Sequence, residues 1–299
     1  MEGSPLKKLQ QLAQAARERG FNPESNEPVE EKKEVVSYMA ARELMGFQRF
    51  FGALEINGTF GIFVKQEDVP EIPFSKEELE QAKLQGFELV LYVDKTEHGS
   101  PLTAEEMNSL YVKNNGAPNE LIISNWYKHN SRINNEVPRP GWRLVTHDPE
   151  KVFTNKNYLE QTEAIIDKLR TEIFPEELPQ VYKNAIDEFE ASKDNYQSML
   201  AGGNSDYETL GEALVAEKIN ILCRETFTES IYRLTLQKRK LGFDVLNSPQ
   251  TGINFVTTNS SLRRGAIVLL DSNRESFLLE DYGVGARSSS LSTFFSRGV

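Results

Sequence analysis

A chain of 299 residues, 38% of them hydrophobic, is long enough for two domains, or for one domain with a large appendage, and for real cores. Forty-five acidic against 34 basic side chains leave a net charge of −11, which argues against nucleic acid as a partner because a phosphate backbone would be repelled. A single cysteine, Cys223, excludes an internal disulfide framework and a cysteine-based zinc site, and a reducing, cytoplasmic setting is expected. No apolar run reaches the roughly 18 residues that span a bilayer, and Met1 to Gly20 lacks the apolar core of a secretory signal.

In chain order, residues 1–45 open with Leu6, Leu9, Leu12, Ala13 and Ala16 at helical spacing, stopped by Gly20. The following Asn22-Pro23-Glu24-Ser25-Asn26-Glu27-Pro28 and Glu30-Glu31-Lys32-Lys33 are too polar to bury anything and read as linker.

Residues 46–146 read as a small α+β domain. Phe47 to Ile56, the Asn57-Gly58 pair and Thr59 to Val64 predict a hairpin, since Asn-Gly suits the φ > 0 positions of a type I′ turn. Ser75-Lys76-Glu77-Glu78 is a capping box that starts a helix ending at Gly86, and Thr103-Ala104-Glu105-Glu106 repeats the pattern. Strands are predicted at Phe87 to Val93, Leu121 to Tyr127 and Trp142 to Thr146.

Residues 147–246 predict a four-helix bundle. Two helices, over Asn157 to Ile173 and Leu178 to Leu200, place Tyr158, Ile165, Ile166, Leu169, Val181, Tyr182, Ile186, Phe189 and Tyr196 on apolar faces. After a break at Gly202-Gly203-Asn204, boxes at Ser205–Glu208 and Thr226–Glu229 open helices ending near Cys223 and Gly242.

Residues 247–299 change character: 28 of these 53 are Ser, Thr, Asn, Gly or Arg, threaded by runs such as Ala266 to Leu270 and Ser276 to Leu279. Short apolar runs bounded by turn residues predict an antiparallel β module presenting loops.

Motifs for chemistry are sparse. His98, His129 and His147 are too far apart to place two ligands on one helix face, and read as surface residues. Glu176, Glu177, Asp187, Glu188 and Glu190 read as the solvated face of a helix. Cys223 lies among Ile219, Ile221 and Leu222 and reads as a small buried hydrophobe. Gly283-Val284-Gly285 is a turn, lacking the helix and third glycine of a phosphate loop. Lys238-Arg239-Lys240 at a helix C-terminus reads as a complement to the helix dipole. Arg263, Arg264, Arg274, Arg287 and Arg297 supply fork-shaped donors among adaptable hydroxyls and amides, chemistry that suits a binding surface, and suits equally the protection of strand edges.

Pro140-Gly141-Trp142-Arg143-Leu144-Val145-Thr146, Asn157-Tyr158-Leu159-Glu160-Gln161-Thr162-Glu163, Val181-Tyr182 through Glu190, Lys218-Ile219-Asn220 and Phe294-Phe295-Ser296-Arg297, taken in that order, resemble a protein family frequent in uncultured, small-genome candidate-phylum bacteria, over about residues 140–299. That family has no established activity, so the resemblance implies an architecture and no enzyme. The C-terminal module is also similar to the terminal C-type-lectin-like modules of proteins that retroelements diversify. It departs from them in having no Trp after Trp142 and few terminal aromatics, chiefly Tyr282, Phe294 and Phe295.

The expectation is therefore an α+β chain acting as a non-catalytic binding protein without metal or cofactor. Its surface would be the loops of 257–264, 271–276 and 282–290, with Arg263, Arg264, Arg274, Tyr282 and Arg287 as anchors for a protein or carboxylate-bearing ligand. One alternative is a hydrolase or transferase with a site between the α+β domain and the bundle, using the carboxylates with His129 or His147. The other is a structural or virion-associated protein.

Overall fold

The structure is a computed structural model that describes residues 35–116, 134–202, 207–242, 253, 255–261, 266–273 and 276–298. The chain divides into two units, Met1–Val35 and Val36–Val299. The N-terminal helix and linker read from sequence, the Leu121–Tyr127 strand, His129 and the Ser205 capping box lie outside the described residues.

The second unit is α+β. Helix α1 (Tyr38–Met45) leads through a 3-10 turn to strand β1 (Phe50–Phe51), helix α2 (Ala53–Phe60), helix α3 (Lys76–Leu84), strand β2 (Phe87–Tyr92), helix α4 (Ala104–Asn115) and strand β3 (Gly141–Thr146). Strand β2 is buried along its whole length and pairs parallel with β1 and antiparallel with β3. The capping box at Ser75 forms as predicted, Ser75 Oγ accepting from the Glu78 amide while Glu78 accepts from the Ser75 amide.

The predicted Asn57-Gly58 hairpin is a helix instead. The Gly52 amide donates to Glu55 Oε2 at 2.9 Å, and Gly61 ends the helix in the left-handed region at φ 72°. Ile56, Thr59 and Phe60, at i, i+3 and i+4, are buried together. Burial of that apolar stripe overrides the turn preference of an Asn-Gly pair lying on the exposed side.

The helical block comprises α5 (Tyr158–Lys168), continued by a π-helical turn over Leu169–Ile173, then α6 (Gln180–Gly202), α7 (Tyr207–Ala216) and α8 (Lys218–Cys223). One predicted helix is thus two, broken at Glu217, whose carboxylate accepts a hydrogen bond from Tyr196. Helix α8 packs on α5, α6 and α7. Helix α9 (Phe227–Leu241) is the main departure from the expected bundle: its packing partners are α2, α4 and strands β2, β4 and β5. Every residue of α9 from Phe227 to Gln237 is buried, so it is covered on all sides.

Strands β4 (Phe255–Ser261), β5 (Ala266–Asn273), β6 (Ser276–Gly283) and β7 (Leu291–Thr293) form a second sheet in the order β6-β5-β4-β7. Strand β8 (Ser296–Arg297) then crosses to the first sheet, whose order is β1-β2-β3-β8. Between the two, Phe294 lies under the Arg233 guanidinium at 4.0 Å and Phe295 meets Phe87 edge to face.

Candidate functional site

Among the described residues, buried polar chemistry is concentrated around α9. Glu88 lies in a strand whose other residues are Phe, Leu, Val, Leu and Tyr, and it is fully buried. Its Oε1 accepts from Arg233 Nη1 at 2.9 Å, and its Oε2 from Gln237 Nε2 at 2.7 Å and from His147 Nδ1 at 3.0 Å. Because an ionised carboxylate only accepts, this contact puts the proton on Nδ1. His147 is therefore half-buried in a network, which corrects its reading as a plain surface residue.

Arg233 also holds Glu225 with two parallel bonds, Nε to Oε1 and Nη2 to Oε2, both at 2.8 Å. Tyr92 donates to Glu225 Oε1 at 2.5 Å. Burial first, and the Glu225 charge second, hold the Tyr92 phenol far above its usual range, so it remains a donor.

Arg224, next in sequence, turns the other way. Its Nε donates to Asn220 Oδ1, its Nη1 to Gln161 Oε1 and Thr257 Oγ1, and its Nη2 to the Tyr158 carbonyl and Thr162 Oγ1. These acceptors are neutral, and burial lowers the guanidinium below its ordinary range.

The start of α9 is held by the segment before β3. Glu136 accepts from the Thr228 amide at 2.9 Å and from Ser260 Oγ at 2.7 Å, while Arg139 grips both oxygens of Glu229 at 2.7 and 2.6 Å. A carboxylate over free amides at a helix start is favourable by dipole and by hydrogen bonding.

These networks decide how the C-terminal module is to be read. Thr257, Asn259 and Ser260, expected on a loop surface, lie in β4 with their side chains buried. Thr257 Oγ1 donates to Gln161 Oε1, Asn259 Oδ1 accepts from Tyr158, and Ser260 Oγ accepts from the Phe227 amide. Hydroxyls and amides that looked like display chemistry satisfy a buried arginine, tyrosine and helix start. Of the predicted anchors, Arg287 is exposed and paired with Glu160 near the start of α5. Arg263, Arg264 and Arg274, and the side chain of Tyr282, lie outside what is described. Arg297 is held between Phe74 and Phe174, 3.6 Å from Glu78.

Other sequence candidates resolve as follows. Glu177, Glu188 and Glu190 are exposed partners of Lys183, Lys218 and Arg170. Cys223 is buried, and burial pushes its thiol up to about 12. His98 is exposed beside Glu97. Lys240 is not a simple dipole complement: it donates to the Phe50 carbonyl at 2.7 Å and to Glu55 Oε1 at 2.9 Å, with Phe47 and Phe51 around it.

One open feature among the described residues is a cleft of about 720 Å³ at the end of β2, lined by residues 62–65, 68, 70, 91–99, 140 and 141. Nothing in the sequence marked it, because its walls come from three segments far apart in the chain: residues 62–70, 91–99 and 140–141. Hydrogen bonds tie the walls. Trp142 Nε1 donates to the Pro70 carbonyl at 2.9 Å, the Leu102 amide to the Asp94 carbonyl at 2.8 Å, and Thr96 Oγ1 accepts from the amides of His98 and Ser100. Behind the floor, Tyr92 is tied to Glu225, and Tyr232 donates to the Leu91 carbonyl at 3.1 Å. Phe63 is 64% exposed, and Asp94 is partly buried. Among the described residues, no group of three or more His, Cys, Asp or Glu could hold a metal ion, and no helix is long and apolar enough to cross a membrane.

Comparison with protein-family models, curated sequences and solved structures finds no match to this chain.

Proposed function

We propose that this protein is a non-catalytic binding protein that takes a small ligand in the cleft at the end of β2. One observation carries the reading: a preformed concavity of about 720 Å³, within the size range of ligand sites, with an exposed aromatic and charged groups on walls fixed by hydrogen bonds. The buried Glu88, Glu225 and Arg233 are, by contrast, engaged with one another, as is Glu229 with Arg139. Of the partners described for the His147 ring, Gln237 is not a nucleophile and the Glu88 carboxylate is fully buried and held by Arg233, so a hydrolase or transferase reading has less support. The lone buried cysteine fits a reducing, cytoplasmic setting.

The test is a fragment screen followed by amide chemical-shift mapping on the full chain. Binding fragments are expected to move resonances of residues 62–70 and 91–99. A screen whose hits map to 282–290 would return the site to the C-terminal module.

A further inference from the structure

We infer that the ligand of the cleft is a small-molecule amine, its ammonium seated at Asp94 and its aromatic or aliphatic body against Phe63 and Val64. This rests on the cleft reading above and adds the chemistry of the occupant.

The carboxylate of Asp94 is the first ground. It is partly buried where β2 leaves the sheet, and it has no hydrogen-bond or ion-pair partner among the described residues. Four other carboxylates drawn out of water are paired: Glu55 with Lys240, Glu88 with Arg233, Glu150 with Lys168 and Glu229 with Arg139. A carboxylate left unpaired on the wall of a cleft can take a charge-assisted hydrogen bond from a ligand cation.

The lining supplies the second ground. Its carboxylates Asp68, Asp94 and Glu97 outnumber its lysines Lys65 and Lys95, and Lys65 already lies 3.8 Å from Glu67. In a chain of net charge −11 the field in such a concavity gathers cations and repels carboxylates. The third ground is Phe63: an exposed aromatic ring in the same cleft offers an apolar surface and a face that attracts a cation.

The experiment uses three probes of one shape, phenethylamine, 2-phenylethanol and 3-phenylpropionate, titrated into the full-length protein by amide shift mapping. Phenethylamine is expected to bind tightest, with shifts at residues 62–64 and 91–95, and 3-phenylpropionate weakest. Asp94→Asn is expected to weaken phenethylamine about tenfold, a loss of one charge pair, and to leave 2-phenylethanol unchanged. Phe63→Ala should weaken both, and a thermal melt of each variant shows that it is folded. If 2-phenylethanol or 3-phenylpropionate enters the cleft as well as the amine, or Asp94→Asn leaves the amine unaffected, the cleft stands as a site and the amine inference falls. If no probe moves a cleft resonance, the cleft reading falls, and the inference with it.

Discussion

Glu88 and Arg233 meet at 2.9 Å with neither side chain accessible to solvent, joining a central strand to the helix that runs between the two sheets. The same guanidinium takes Glu225, so one cation serves two buried carboxylates. A buried pair contributes little net stability relative to well-packed apolar residues, but removing one partner strands the other.

Arg233→Met is therefore expected to cost about 3–5 kcal/mol, because it leaves two carboxylates uncompensated. Arg170→Ala, which breaks the exposed pair with Glu190, is expected to cost no more than about 1 kcal/mol. Urea denaturation followed by circular dichroism compares the two. Equal midpoints for both variants would mean that Arg233 is not the buried hub described.

The second expectation concerns Arg139 and pH. Burial alone would raise the Glu229 carboxyl, but the hydrogen bonds and charge of Arg139 outweigh it and hold the group below its usual range. A depressed folded-state pKa contributes stability above the unfolded value, about 4.3, and that stability is lost as pH falls through the folded value. Arg139→Ala should thus destabilise strongly at neutral pH, and its difference from wild type should shrink steadily below about pH 4. A difference that stays constant down to acid unfolding would show that Arg139 acts by packing alone.

Gly52 is needed for close approach. A Cβ there would fall on the Tyr38 hydroxyl and 2.8 Å from Phe50 Cε1, although the backbone at φ −120° suits any residue. Gly52→Ala is expected to cost about 1–3 kcal/mol through overpacking. Tyr38→Phe in the same chain should recover part of it by removing the obstructing oxygen. No recovery would place the strain on the Phe50 ring and the Tyr38 ring carbon Cζ, 2.9 Å away, rather than on the hydroxyl.

Cys223 has its thiol pushed up to about 12 by burial, so almost none is thiolate at pH 8. Ellman's reagent is expected to react with the folded protein orders of magnitude more slowly than with protein in guanidinium. Comparable rates would mean that the segment around α8 opens readily.

What could be read from the sequence was local. The boxes at Ser75 and Thr226 formed, and the β2, β3, β5 and β6 runs were found, because capping and apolar spacing are encoded over a few residues. The apolar face containing Ile186 and Phe189 is buried as predicted. What failed depended on distant partners. Asn57-Gly58 became helix because Ile56 and Phe60 had a core to enter, and α9 left the bundle because its polar side chains meet partners from β2 and the 136–139 segment and its first amide meets Ser260 of β4. Glu88 did leave a trace, a lone acid inside an apolar strand, whereas Asp94 and Phe63 sit in loops whose composition says nothing of a ligand.

Strand β8 carries a consequence for how the chain is made. Leu144 pairs with Arg297 and Val145 with Ser296, so the first sheet gains its last strand only when residue 297 is present. Pairing across about 150 residues of sequence is slow to close. During synthesis β3 waits with one edge open while the helical block and the second sheet emerge, an interval in which a nascent chain is exposed to wrong pairing and to chaperone capture.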